Sequence, residues 1–197
     1  MNFFKRLRRS IDVSSGENKK SGTDTQAISS LSSAYVALET KLSLKSTGRS
    51  AICIKRADIA EFDEMKREIE RFLDASKANF DLNFRTIIDP YDYLWTIIVG
   101  KTIEDNVAAI TSIGDTIEQM GFSDKILASV FDFNDGTIAQ YLIYNYKLDK
   151  FYPFVPVSEQ QKRRDHSKEL KIMSAIADEL PFETETSNWY PIWNIPV

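Results

Sequence analysis

The sequence predicts an α+β fold, an antiparallel sheet with helices packed mainly on one face. Two observations carry this expectation. Apolar residues recur at helical spacing in some segments and give way to short β-branched and aromatic runs in others. Two turn signals, Asp89-Pro90-Tyr91-Asp92 and Asn134-Asp135-Gly136, each sit between two such runs, which marks them as hairpins. The expected order is αβαββαββα, and its middle is the arrangement of a split βαβ unit, a ferredoxin-like two-layer sandwich.

Each element has its own justification. Ile28, Leu31, Tyr35, Leu38 and Leu42 recur at three- and four-residue steps, so Gln26 to about Leu44 forms an amphipathic helix that ends before Gly48. Ser50 to Lys55 is a short apolar strand. Asp58 and Glu61 have capping-box spacing for a second helix, in which Ile59, Phe62, Met65, Ile69, Phe72 and Leu73 share a face. Asn83–Ile88 and Tyr93–Val99 form the first hairpin. Thr102 caps a third helix with Glu104 and Asp105 in its first turn, where a carboxylate meets the positive end of the helix dipole. Gly121 stops that helix. Lys125–Phe133 and Ile138–Lys147 form the second hairpin, and Leu170, Met173, Ile176, Ala177 and Leu180 mark a last helix.

Composition bounds the function. With 197 residues and 43% hydrophobic content, the chain is long enough for a sizeable core without staples. The expected organisation is a basic amphipathic segment and polar linker over residues 1–25, then a single domain over 26–197. A net charge of −4 makes no overall case for nucleic acid. The lone cysteine, Cys53, allows no internal disulfide and no cysteine zinc cluster. No apolar run reaches the roughly 20 residues that a spanning helix needs, and no signal-peptide pattern opens the chain. The expected location is cytoplasmic, with peripheral attachment at the inner face of the membrane as the open alternative.

No spacing resolves into a catalytic site, so no catalytic residue, metal or cofactor is expected. His166 lies between Asp165 and Ser167, but adjacent side chains diverge and a triad is assembled across a fold. The scattered glycines make no phosphate loop. Cys53 lies in an apolar run and is expected to be buried and inert. The basic run Lys162 to Lys168 reads as the solvated start of the last helix, its charge diluted by Glu159, Asp165 and Glu169. An acidic-partner or phosphate site is the rarer alternative there.

Two segments stand out as interaction candidates. Phe3, Phe4 and Leu7 share a helical face beside Lys5, Arg6, Arg8 and Arg9, a pattern that suits either an anionic membrane surface or a strip packed on the domain. Near the other end are two aromatic–proline runs, Phe151-Tyr152-Pro153-Phe154-Val155-Pro156 and Trp189-Tyr190-Pro191-Ile192-Trp193. Proline fixes φ and removes a donor, so each run is a stiff extended strip carrying large rings. The strips cover a sheet face, present Phe151, Tyr152, Phe154, Trp189, Tyr190 and Trp193 to a partner, or do both.

These strips, together with Ser33-Ala34-Tyr35-Val36-Ala37-Leu38-Glu39 and Leu127-Ala128-Ser129-Val130-Phe131-Asp132-Phe133, resemble the PspA-associated protein family PspAB. The resemblance covers nearly the whole chain. It implies an archaeal or related prokaryotic protein associated with PspA, a membrane-stress protein, and often linked with the membrane zinc metalloprotease HtpX. It also implies a likeness to type III secretion chaperones and their YbjN-like relatives. From it follows the leading expectation of a non-enzymatic adaptor or chaperone-like module that binds a PspA-like or HtpX-like protein. An enzyme with a cryptic site, and a homodimer that buries the same rings, are the alternatives.

Overall fold

The structure is a computed structural model that describes residues 25–56, 59–76 and 82–197. Among these residues, four helices and a six-stranded antiparallel sheet make an α+β architecture. Helix α1 is Thr25–Leu42, followed by strand β1, Lys45–Lys55, and helix α2, Ile59–Ser76. Strands β2, Asn83–Ile88, and β3, Tyr93–Val99, form the first hairpin, and helix α3 is Ile103–Gln119. Strands β4, Ile126–Asn134, and β5, Ala139–Asn145, form the second. Strand β6 is Lys150–Phe154, β7 is Pro156–Ser158, β8 is Arg163–Arg164, and helix α4 is His166–Ile176.

The sheet order is β2-β3-β1-β4-β5-β6. Helix α2 therefore joins β1 to β2 with β3 lying between them. The helices form one layer, α2 packing on α3, α3 on α1 and α1 on α4. Side chains of opposed residues share a face, and Tyr35 of α1 meets Phe133 while Thr86 donates to Glu70 of α2. These contacts fix the helix-covered face.

Local signals explain most boundaries. Helix α3 opens on a capping box, with the Thr102 hydroxyl accepting from Asp105 N–H and the Asp105 carboxylate accepting from Thr102 N–H, both at 3.1 Å. It closes with Gly121 N–H bonded to Glu118 O and Phe122 N–H to Ile117 O, a Schellman motif with Gly121 at φ +84°. At the first hairpin, Asp89 Oδ1 accepts from Tyr91 and Tyr93 N–H, and Oδ2 accepts from the Trp95 indole at 3.1 Å. The expected cap of α2 at Asp58 and the N-terminal segment lie outside the described residues.

Three expectations are corrected. Strand β1 begins at Lys45 rather than Ser50, because a bulge between Ser46 and Ser50 lets Gly48 turn at φ +76° and the pairing with β4 resume. The first aromatic–proline strip is not a cover laid over the sheet. It is the sixth strand, Tyr152 opposing Ile143 and Phe154 opposing Tyr141, and Pro153 is tolerated because β6 sits at the edge. Finally, the buried stripe of α4 is Glu169, Ile172 and Ile176, while Leu170 is 44% exposed. The helix is turned so that a carboxylate, rather than Leu170, faces inward.

Candidate partner-binding surface

One row of side chains crosses the sheet on the face away from the helices: Arg85, Ile97, Ala51, Val130, Ile143 and Tyr152, each opposing the next across a strand boundary. Five strand spacings make this row about 24 Å long. The C-terminal segment lies over it. The Tyr152 hydroxyl donates to Tyr190 O at 3.0 Å, and Arg85 Nη2 donates to Pro196 O at 2.9 Å. The two contacts fall at opposite ends of the row, so the stretch from Tyr190 to Pro196, which turns at Trp193 and Asn194, lies across it. The second strip is therefore the sheet cover that its sequence suggested.

The exposed edge of β6 is also taken. Phe151 N–H donates to Pro181 O, and Glu183 N–H donates to Phe151 O, both at 2.8 Å, so a parallel bridge from Phe182 shields it.

A buried charged clamp locks the tail to the fold. Arg164 is 10% exposed at its side chain and Glu169 is fully buried. Arg164 Nε donates to both Glu169 oxygens at 2.8 and 2.9 Å, Nη1 to Trp189 O at 2.7 Å and Nη2 to Pro153 O at 3.2 Å. Its guanidinium stands 5.1 Å from the Phe154 ring centre. Glu169 also accepts from Val155 N–H at 2.8 Å, and its second oxygen meets His166 Nδ1 at 3.1 Å. This corrects the picture of a solvated basic run: Glu169 and Arg164 are interior groups, and Asp165 is the cap of α4, accepting from Lys168 N–H at 3.0 Å.

The six candidate rings separate into two groups. Phe151, Tyr152, Phe154 and Trp189 are buried. Phe151 faces the helix layer beside Tyr144 at 5.0 Å and Phe131 at 6.5 Å. Trp189 is anchored by its indole N–H to Glu183 O at 2.7 Å and by the Phe182 ring at 6.2 Å. Tyr190 and Trp193 are only partly covered. Trp193 meets Phe154 edge-on at 5.0 Å, with Lys162 Nζ 5.0 Å from its ring centre. The surface available to a partner is thus narrower than the sequence suggested.

Beside α4 lies a shallow recess of about 610 Å³ lined by Val157, Lys162, Arg163, Arg164 and the first turn of α4. Val157 is 48% exposed. Sequence reasoning missed this residue because β7 and β8, each only two or three residues long, leave no periodic signal. The polar turn Glu159-Gln160-Gln161-Lys162 between Val157 and Arg163 was the available clue.

Cys53 is fully buried, and burial with the nearby Asp89 charge holds its thiol well above its ordinary range. His166 is two-thirds exposed, with Glu169 as its acidic neighbour. Among the described residues no group of three or more metal-ligating side chains converges, and no helix is long and apolar enough to cross a membrane. Phe3, Phe4, Lys5, Arg6, Leu7, Arg8 and Arg9 lie outside the described residues.

A family model described as PspA associated protein B matches residues 1–197. The chain belongs to the PspAB family. No curated protein and no solved structure matches it. In this PspAB chain the second aromatic strip is the segment that crosses the sheet.

Proposed function

We propose that this PspAB protein is a non-enzymatic adaptor or chaperone-like module that binds a PspA-like protein. The observation that carries the reading is the division of the strips: four rings are consumed by the fold, while Tyr190 and Trp193 keep part of their surface open, Trp193 beneath Lys162 at the margin of the recess. Half-open rings held by a rigid scaffold suit a binding surface, since aromatic side chains supply much contact area for little conformational entropy. The family description, PspA associated protein B, supports the choice of partner. An HtpX-like protein is the second candidate on the same surface. The strand order supports a ferredoxin-like or YbjN-like two-layer sandwich as the scaffold.

The test is capture of a purified PspA-like bait by the native protein, by Trp193→Ala and by Val157→Asp, each checked for folding by circular dichroism. Weaker capture by the folded variants is expected. Undiminished capture by both would remove the surface from consideration. A homodimer burying the same rings would instead appear as a doubled mass that Trp193→Ala halves.

The N-terminal pattern supports a cytoplasmic protein that reaches the inner membrane face through Phe3, Phe4 and the neighbouring basic residues. Co-sedimentation with anionic liposomes should fall when Phe3→Asp is combined with Phe4→Asp, and equal sedimentation rejects membrane attachment.

A further inference from the structure

We infer that the recess between the β7–β8 hairpin and α4 receives an acidic, partly apolar segment of the protein partner. The inference rests on the binding-module reading and specifies the chemistry of the bound segment. The whole chain is acidic, with a net charge of −4, yet the recess collects Lys162, Arg163, Arg164 and His166 around the apolar Val157. The acidic groups that diluted this run in the sequence are engaged by the fold. Glu169 is sealed beneath Arg164. Asp165 is bonded to the N–H of Lys168 as the cap of α4, so the helix start is already satisfied. Glu159 accepts from Asn194 N–H at 3.1 Å and stands 4.0 Å from Lys162.

The lining of the recess is therefore mainly cationic: Arg163 is exposed, and Lys162, paired with the half-exposed Glu159 at 4.0 Å, is also exposed and poised over the Trp193 ring. Arg163 presents a planar fork suited to a carboxylate. Val157 at 48% exposure adds an apolar patch to the recess, and the half-open Trp193 ring lies at its margin beneath Lys162, so a segment with interspersed acidic and apolar residues matches the surface better than a small anion. Rim charges of this kind act chiefly on association rate and partner choice.

The probe is a fluorescein-labelled peptide of glutamate and leucine at helical spacing, compared by anisotropy with the same peptide carrying glutamine for glutamate. The glutamate peptide is expected to bind with an affinity that falls as salt rises. Lys162→Glu combined with Arg163→Glu should weaken it about tenfold, and Arg163→Glu alone, at an exposed position, should weaken it by a smaller factor. Lys45→Glu with Lys55→Glu, at exposed positions on β1, should leave it unchanged. Equal binding of the glutamine peptide, equal loss in the β1 control, or binding of phosphatidylglycerol vesicles at the recess in place of the peptide would each overturn the inference. Capture of the PspA-like bait separates the two levels. If Trp193→Ala and Val157→Asp weaken capture while the charge reversals do not, the binding surface stands and the acidic segment falls.

Discussion

Arg85 and Tyr152 stand at opposite ends of one six-residue row across the sheet, and each holds one end of the same C-terminal stretch, at Pro196 and Tyr190. The two ends are unequal. Tyr152 is fully buried and Arg85 is exposed. Tyr152→Phe should cost about 1 kcal/mol of global stability, since it leaves a carbonyl without its donor. Arg85→Ala should change stability by less than about 0.5 kcal/mol, while hydrogen exchange quickens at Ile195 and Val197. Equal effects of the two variants in urea titrations would mean that the tail is not graded in this way.

The Arg164–Glu169 pair makes a sharper prediction. Removing one partner strands the other in the interior, so Arg164→Ala or Glu169→Ala should destabilise by about 3–5 kcal/mol. The doubly apolar variant, Arg164→Met with Glu169→Leu, should recover part of that loss, because no uncompensated charge remains. It would not recover all of it, since Val155 N–H and the Trp189 and Pro153 carbonyls lose their partners. Urea midpoints of the variants give the comparison.

Gly48 and Gly121 separate conformation from crowding. Both have positive φ. A methyl group at Gly121 meets nothing within 4 Å, whereas one at Gly48 runs into the Gly100 carbonyl, whose own N–H is bonded to Gly48 O at 2.8 Å. Gly121→Ala should cost about 1 kcal/mol. Gly48→Ala should cost about 2–4 kcal/mol, because backbone must also move. Thermal melts that rank the two in the opposite order would contradict the bulge geometry.

The helices, both hairpins and the tail's covering role were legible because periodicity, caps and turn residues are local signals. In α1 the three- and four-residue spacing alone places Ile28, Leu31 and Leu38 in the interior, and all three are buried. The rotation of α4 was not legible, because spacing ranks Leu170 above Glu169 for the interior. Only the tertiary meeting of Glu169 with Arg164 and Val155 N–H reverses that ranking. Strand β6 was missed for a related reason: Pro153 argues against a strand in general, and only its place at the end of the sheet order removes the objection. Of the candidate site, the rings were legible, but their division into buried and half-open groups depends on which neighbours the fold supplies.

Three tyrosines predict alkaline behaviour, Tyr152 fully buried and Tyr141 and Tyr146 partly buried. Burial pushes Tyr146 and Tyr152 far above the ordinary phenol range, and Tyr141 is pushed up to about 12 by burial and by the Asp132 and Glu159 charges. A raised folded pKa means that the folded state holds its proton after the unfolded chain has lost it. The associated stability is complete below about pH 10 and is lost as pH rises through the folded values. Urea midpoints should therefore fall above about pH 10, and Tyr152→Phe should show a shallower fall.

Asp132 gives a prediction whose sign is independent of the absolute cost of the substitution. Its carboxyl is buried on the tail side, with Oδ2 accepting from Thr47 at 2.8 Å and Oδ1 without a hydrogen-bond partner among the described residues. Burial raises its pKa, opposed by the Thr47 bond and the Arg49 charge. For a carboxyl raised in the folded state, the favourable contribution is present below the unfolded value of about 4 and is lost as pH rises through the folded value. Asp132→Asn has no such proton to lose. The stability of the variant relative to the native protein should therefore be greater at pH 7 than at pH 4. Asp135, lowered chiefly by its bond to Lys168, has the opposite dependence, present above the unfolded value and lost as pH falls, but it is common to both proteins and cancels. Urea midpoints of both proteins at the two pH values give the double difference, and a variant that gains on acidification would contradict the desolvated state of Asp132.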